Sequence, residues 1–409
     1  MREKKNPTLE LIALLAMMVG IVAFSIDSML PGIPAIANEL SPQAPKKAQE
    51  VLVFFILGMG LGTFCVGPIS DSIGRRPVII FGLFLYITMA LIAFLSSSLE
   101  VLLLARFFQG LGAAAPRIVT QAIIRDVYSG RKMAQILSLV MIIFTLVPAI
   151  APFLGDQIIK SFGWRGVFLA FAAFGLILLF WFNIRLGETL LKERQRIFVF
   201  GQIWPSLLEM YKNPQVRYSI CIQTFCYGTL FSSLILIQPI FDLNFQRGAN
   251  FPLWFALIAL LGAIASILNA RLVMTFGMRS MVLYSLMVQV VLSSAVTAYF
   301  VSMPQTDKTA FVLYFTWQSM IFFQAGLTLG NLSALAMEPM GHIAGFTASV
   351  SGGIATVLAA SLAMGVNVLF DGTPLPLIAY NLVLALIALS FTLVMIRSGR
   401  RLQEFKRNA

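Results

Sequence analysis

Charge is scarce in this sequence. Asp, Glu, Lys and Arg make up 11% of its 409 residues, less than half the roughly 25% of an average soluble domain. That excludes a water-soluble globule, a disordered chain and a fibrous repeat. Histidine occurs once and cysteine three times. Cys65, Cys221 and Cys226 all stand in apolar runs, which offers neither a disulfide framework nor metal-ligand spacing. One histidine and no clustered carboxylates exclude most metalloenzyme sites. No G-x-x-x-x-G-K-[ST] phosphate loop is present. No metal and no cofactor is therefore expected, and no catalytic constellation or appended soluble domain marks an enzyme or receptor. What the chain has in abundance is apolar surface: 59% hydrophobic residues, 35 phenylalanines and a mean hydropathy of +0.88.

A bilayer's hydrocarbon takes about 20 mostly apolar residues per helix. By that measure twelve runs are found, at 9–33, 51–70, 78–97, 100–122, 134–157, 165–184, 217–239, 253–273, 280–301, 309–331, 344–368 and 375–396. Helices satisfy their backbone groups internally, as lipid demands. The expected fold is an all-α integral membrane protein with two pseudo-symmetric six-helix bundles. They comprise residues 1–184 and 217–396, separated by a cytoplasmic central loop at 185–216 and followed by a cytoplasmic tail at 397–409.

The formal net charge of +12 would suggest nucleic acid in a soluble protein. Here it is a question of sides. With the N-terminus inside, 21 of the 29 Lys and Arg residues fall in inner loops and termini, and six fall outside. The remaining two, Arg106 and Arg117, lie within a span. That bias sets both termini in the cytoplasm and accounts for the charge without nucleic acid.

A weak internal repeat accompanies the two halves. Ile73-Gly-Arg-Arg-Pro77, between spans two and three, is echoed by Phe276-Gly-Met-Arg-Ser280 between spans eight and nine, and Pro31 by Pro239. Parallel repeats of this kind place a shared substrate cavity between the halves.

The most specific segment is Gly67-Pro-Ile-Ser-Asp71-Ser-Ile-Gly74-Arg75-Arg76-Pro77. Its glycines permit a tight turn between helices and Pro77 suits a first helical turn. Asp71 can pair with an arginine or sit at a helix N-terminus. Contacts that form in one state and break in another make a conformational latch of Gly67, Asp71, Gly74, Arg75 and Arg76.

This loop resembles the signature between spans two and three of the major facilitator superfamily, G-x-x-x-D-x-x-G-R-[RK]. Arg106-Phe-Phe-Gln109-Gly110-Leu-Gly112 is similar to the family's span-four motif. Pro148-Ala-Ile-Ala-Pro152-Phe-Leu-Gly155 stands where antiporters of the family carry a Gly-Pro-rich span-five motif, although Ala151 and Asp156 replace its usual glycines. Ser25-Ile-Asp27, Leu30-Pro-Gly-Ile-Pro34, Arg125-Asp-Val-Tyr128 and Gly187-Glu-Thr-Leu190 resemble the Bcr/CflA drug-resistance transporters. The resemblance implies a bacterial inner-membrane protein that exports bicyclomycin- or chloramphenicol-type drugs in exchange for protons by alternating access. Lipid and small molecules would be its partners and a monomer its expected state. A metabolite transporter of the same architecture is the alternative.

Asp27 is the one carboxylate well inside a span. Counted at 1.5 Å per residue, Asp27 and Arg106 both fall roughly 9 Å below the outer surface and can face each other. Intramembrane charge is costly and marks function by default, so the pair is the candidate for proton coupling. A static pair that only joins two helices is the alternative. Gln109, Arg117 and Gln121 follow Arg106 on span four and, with Tyr227 and Gln238 of span seven, are candidates for the substrate cavity; Arg117 can equally belong to an inner gate. Asp156 reads as a solvated helix end and His342 as a loop residue.

Overall fold

The computed structural model describes residues 9–190, 192–195, 200–303 and 306–408. Arg2, Lys4, Lys5 and Arg196, counted above on the inner side, lie outside these residues. The described chain is helical, without strands, and divides into two compact units, Met1–Phe198 and Val199–Ala409. The first contains α1 (Leu9–Asp27), α2 (Ile33–Leu40), α3 (Glu50–Ile73), α4 (Arg75–Leu95), α5 (Leu99–Val127) and α6 (Gly130–Arg185). The second contains α7 (Phe200–Lys212), α8 (Pro214–Pro239), α9 (Phe251–Phe276), α10 (Met278–Ser302), α11 (Lys308–Met337), α12 (Ala344–Leu369) and α13 (Leu375–Asn408).

Among the described residues ten stretches are long and apolar enough to cross a membrane. Two of them are double length. Gln135–Arg185 is broken at Gly163, whose φ of 71° a side-chain-bearing residue rarely adopts, so α6 makes two passes. Lys308–Leu369 is broken by the 3₁₀ segment Glu338–Ile343 between α11 and α12. Twelve crossings result among the described residues, six in each unit, the number the sequence reading expects.

Side-chain caps start three of these helices. Asn213 accepts from the N–H groups of Gln215 and Val216, Ser98 from Val101, and Asp307 from Ala310 at 2.7 Å. Gly74 and Gly277, equivalent in the internal repeat, occupy the same structural place. Each sits at positive φ immediately before a crossing, α4 or α10.

The first crossing departs from the sequence reading. α1 stops at Asp27, a short 3₁₀ turn runs from Leu30 to Gly32, and α2 carries the apolar stretch on to Leu40. Pro31 and Pro34 interrupt the helix, yet each stands where a new helical turn begins. Asp27 therefore lies at a break within the crossing, thirteen residues short of the stretch's end rather than six. The expected central loop also contains a helix, α7, and the expected tail continues α13 to Asn408.

In the first unit the helices are interlocked backbone to backbone. A methyl group on Gly58 would collide with the carbonyl of Phe107, and one on Gly110 with that of Phe55, so α3 and α5 touch along their main chains. Small residues permit this approach where lipid supplies no hydrophobic drive for association.

Candidate functional site

The site is assembled around the end of α1. Arg106 is fully buried, eight residues into α5. Its guanidinium donates from Nε to the carbonyl of Val51 at 3.2 Å, from Nη1 to Gln109 Oε1 at 2.8 Å, and from Nη2 to the carbonyl of Ser25 at 3.0 Å. It lies 4.3 Å from the ring centroid of Phe55, with Phe168 and Phe171 just under 6 Å away. A buried cation is tolerable only when its donors are used and its charge is met. Here neutral dipoles and aromatic faces do both.

Asp27 and Arg106 form no ion pair. Asp27 is buried, at 5% exposure, and takes no hydrogen bond or salt bridge among the described residues. The static Asp–Arg pair that the sequence left as an alternative is therefore not formed here. Arg106 instead grips the main chain two residues before Asp27, having found its acceptors in carbonyl oxygens.

Two further elements meet the chain around Asp27. Ser25 Oγ donates to the carbonyl of Ile21 at 2.7 Å, which leaves Tyr86 of α4 as donor in the 2.7 Å contact between the two hydroxyls. On the other side, Gly155 of α6 packs against Ser28 so closely that a methyl group there would strike the Ser28 carbonyl. Spans one, three, four and five thus converge within three residues of Asp27. Pro148 and Pro152 lie inside the same first pass of α6. Tyr86 carried no signal in the sequence beyond being a tyrosine in an apolar run.

The remaining candidates divide between the units. Arg117 is half-buried on α5 and donates to Met59 Sδ at 3.4 Å, while Gln121 of the same helix is exposed. In the second unit Tyr227 stacks on Phe231, and Gln238 is buried with Oε1 unpartnered. Asp156 pairs with Lys160 at 2.6 Å and His342 with Glu209 at 3.1 Å, both exposed pairs at helix ends or loops.

Around the turn between α3 and α4 the residues of the latch motif form one network. Arg75 donates to Asp126 Oδ2 at 2.9 Å, to Ser70 Oγ at 2.8 Å and to Asp71. Gly67 accepts from Ser70 Oγ at 3.0 Å. Arg76 Nη2 donates to Asn183 at 3.2 Å. Asp71 takes the arginine rather than a helix N-terminus; that place belongs to Glu188, in the segment after α6. Its carboxylate accepts the backbone N–H groups of Arg75 and Arg76, both at 3.0 Å, and of Thr189 and Leu190. Burial pushes this carboxyl up, but the four N–H groups outweigh it and hold its pKa below the ordinary value. Glu188 and Asp126 stand in segments that the sequence singled out only by resemblance.

A family model described as Major Facilitator Superfamily matches residues 14–364. The chain is 28% identical over 403 residues to a chloramphenicol resistance protein of Pseudomonas aeruginosa, covering 93% of this chain and 89% of that one. It is 28% identical to the bicyclomycin resistance protein homolog of Haemophilus influenzae, covering 65% and 67%. Among solved structures, the human organic anion transporter MFSD10 superimposes with a TM-score of 0.70 at 16% identity, covering 95% of this chain and all of that one.

Proposed function

The chain belongs to the major facilitator superfamily, a family of membrane transporters, and from that premise we propose that it exports small, largely apolar antibiotics in exchange for protons. The observation that carries this reading is Asp27: a buried carboxyl without a partner, placed where a crossing helix breaks. A charge held there is costly until a proton or a bound molecule meets it. Competition between the two is what exchange requires. Arg106 fixes the main chain beside Asp27 and supplies a positive field, so it acts as a positioning residue. The named drug-resistance relatives support the substrate class.

On this reading protons enter at Asp27 from the outer side of a bacterial inner membrane, and the drug leaves as the carboxyl is neutralised. The latch around Arg75 stabilises one access state of the alternating cycle. Asp27→Asn removes the exchangeable proton while keeping the side chain's shape. Reconstituted in proteoliposomes, this variant is expected to insert and fold normally and to lose drug transport driven by a pH gradient. Full gradient-driven transport by Asp27→Asn would remove Asp27 from the mechanism. Drug-susceptibility profiling of cells expressing the chain, with and without a proton uncoupler, tests the substrate class; unchanged susceptibility across a broad panel points to a metabolite instead.

A further inference from the structure

The second unit contains a pocket remote in sequence from every residue assigned above. It has a volume of about 300 Å³ and is bounded by the C-terminal end of α9 and by matching stripes on α10 and α11. Met281, Ser285 and Gln289 share one face of α10, and Met320, Gln324 and Leu327 one face of α11, each at the three- and four-residue spacing of a helical side. Exposed Tyr284 and Val288 stand at the rim.

Most of the lining is apolar, as a membrane protein's exterior requires. Gln289 is not. It is the twelfth residue of a 25-residue crossing, about 17 Å from the helix start at 1.5 Å per residue, near the middle of a hydrocarbon layer of about 30 Å. It is 1% exposed. Its Nε2 donates to Ser293 Oγ at 3.1 Å, which also accepts from Trp317 Nε1 at 2.9 Å, and its Oε1 has no partner. Turning the amide round would let the Ser293 hydroxyl donate to Oε1 but would orphan Nε2. One polar atom of Gln289 is left over in either arrangement.

Gln324, the other amide in the wall, is already committed, donating to Cys226 Sγ and Thr328 Oγ1. An acyl chain would fill the space and leave Gln289 Oε1 without a partner, where no water completes it. A molecule with a hydroxyl or amide at one end would fill the space and complete it, since such groups both donate and accept. The volume holds about ten non-hydrogen atoms at the roughly 30 Å³ that each water occupies in the liquid.

We propose that this pocket between α9, α10 and α11 binds a small neutral amphipathic molecule, an alkyl or aryl body with one hydroxyl or amide directed to Gln289. The site draws its ligand from the bilayer and does not depend on proton coupling at Asp27.

The test is photolabelling of the full-length protein in lipid nanodiscs with an octanol bearing an aliphatic diazirine, alongside the matching octane. The alcohol is expected to label Tyr284, Met320 or Phe323 and to be displaced by unlabelled octanol. Gln289→Leu is expected to lower that labelling about tenfold, the worth of one hydrogen bond. Val288→Trp, made from an exposed position that leaves packing undisturbed, is expected to close the mouth and abolish it. Equal labelling by the octane, undiminished labelling of Gln289→Leu, or no adduct within the pocket would each overturn the proposal.

Discussion

Removing the carboxylate of Glu188 tests how the turn between α3 and α4 is held. The crossing α4 starts at Arg75, and its N-cap position is Gly74, at φ 104° and with no side chain to offer. The first N–H groups of a helix lack partners within it. Here two of them are met by one carboxylate more than a hundred residues away, at 3.0 Å each. Bonds to a charged acceptor contribute about 1.5–3 kcal/mol apiece in a dry setting. Glu188 is exposed, so water replaces much of what is lost, and the scale of an ordinary cap applies. Glu188→Ala should cost about 1–2 kcal/mol at neutral pH, and Glu188→Gln, which keeps an acceptor without the charge, less.

The pH dependence follows from the direction of the shift. The folded-state pKa lies below the unfolded one, so the stabilisation is complete above about pH 4.3 and disappears as pH falls through the lower, folded value. Thermal unfolding of purified wild-type and Glu188→Ala protein in detergent, over a series from neutral to acid pH, measures both effects. A gap between them that is absent at pH 7, or that persists undiminished into acid, would refute the capping role.

Other outcomes follow from the same structure. Arg106→Met should leave the Gln109 amide and two carbonyls without their donor in a dry site, costing about 2–4 kcal/mol, with transport lost together with stability in a thermal shift assay. Arg106→Lys keeps the charge but not the three-way geometry, and should recover only part of that stability. Gly155→Ile forces α6 away from Ser28, so proton-driven transport in proteoliposomes should fall sharply while insertion remains normal. Glu39→Gln weakens the bonds from Trp164 and Arg165 and should cost no more than about 1 kcal/mol in the same unfolding measurement, since the pair is largely exposed.

The twelve crossings were legible because lipid imposes one length and one polarity on every pass, and Gly74 and Gly277 were legible because tight turns between passes favour glycine. The break after Asp27 was not. Prolines 31 and 34 mark an interruption, but hydropathy runs straight through it, and a proline that ends one helix equally begins another. The partners of Arg106 were hidden for a different reason. Two of its three acceptors are backbone carbonyls, of Val51 and Ser25, and every residue has one, so no side chain announces them. Glu188 was marked by resemblance, yet its partners belong to α4, and only the folded chain brings the N–H groups of Arg75 and Arg76 to it.

The two Glu–Trp–Arg contacts of the first unit have a mechanical consequence. Near the start of α1, Glu10 accepts from Trp181 Nε1 at 3.0 Å and from Arg185 Nε at 2.7 Å. Near the end of α2, Glu39 accepts from Trp164 Nε1 at 2.7 Å and from Arg165 at 2.6 Å. Both tryptophan–arginine pairs belong to the second pass of α6, one at each end. The first crossing is therefore held against that pass at two points along its length, with the Asp27 break between them. Sliding of one helix along the other would have to open one of these contacts. Bending at residues 28–32 opens neither, so flexing of that joint is the movement of Asp27 that leaves both contacts intact.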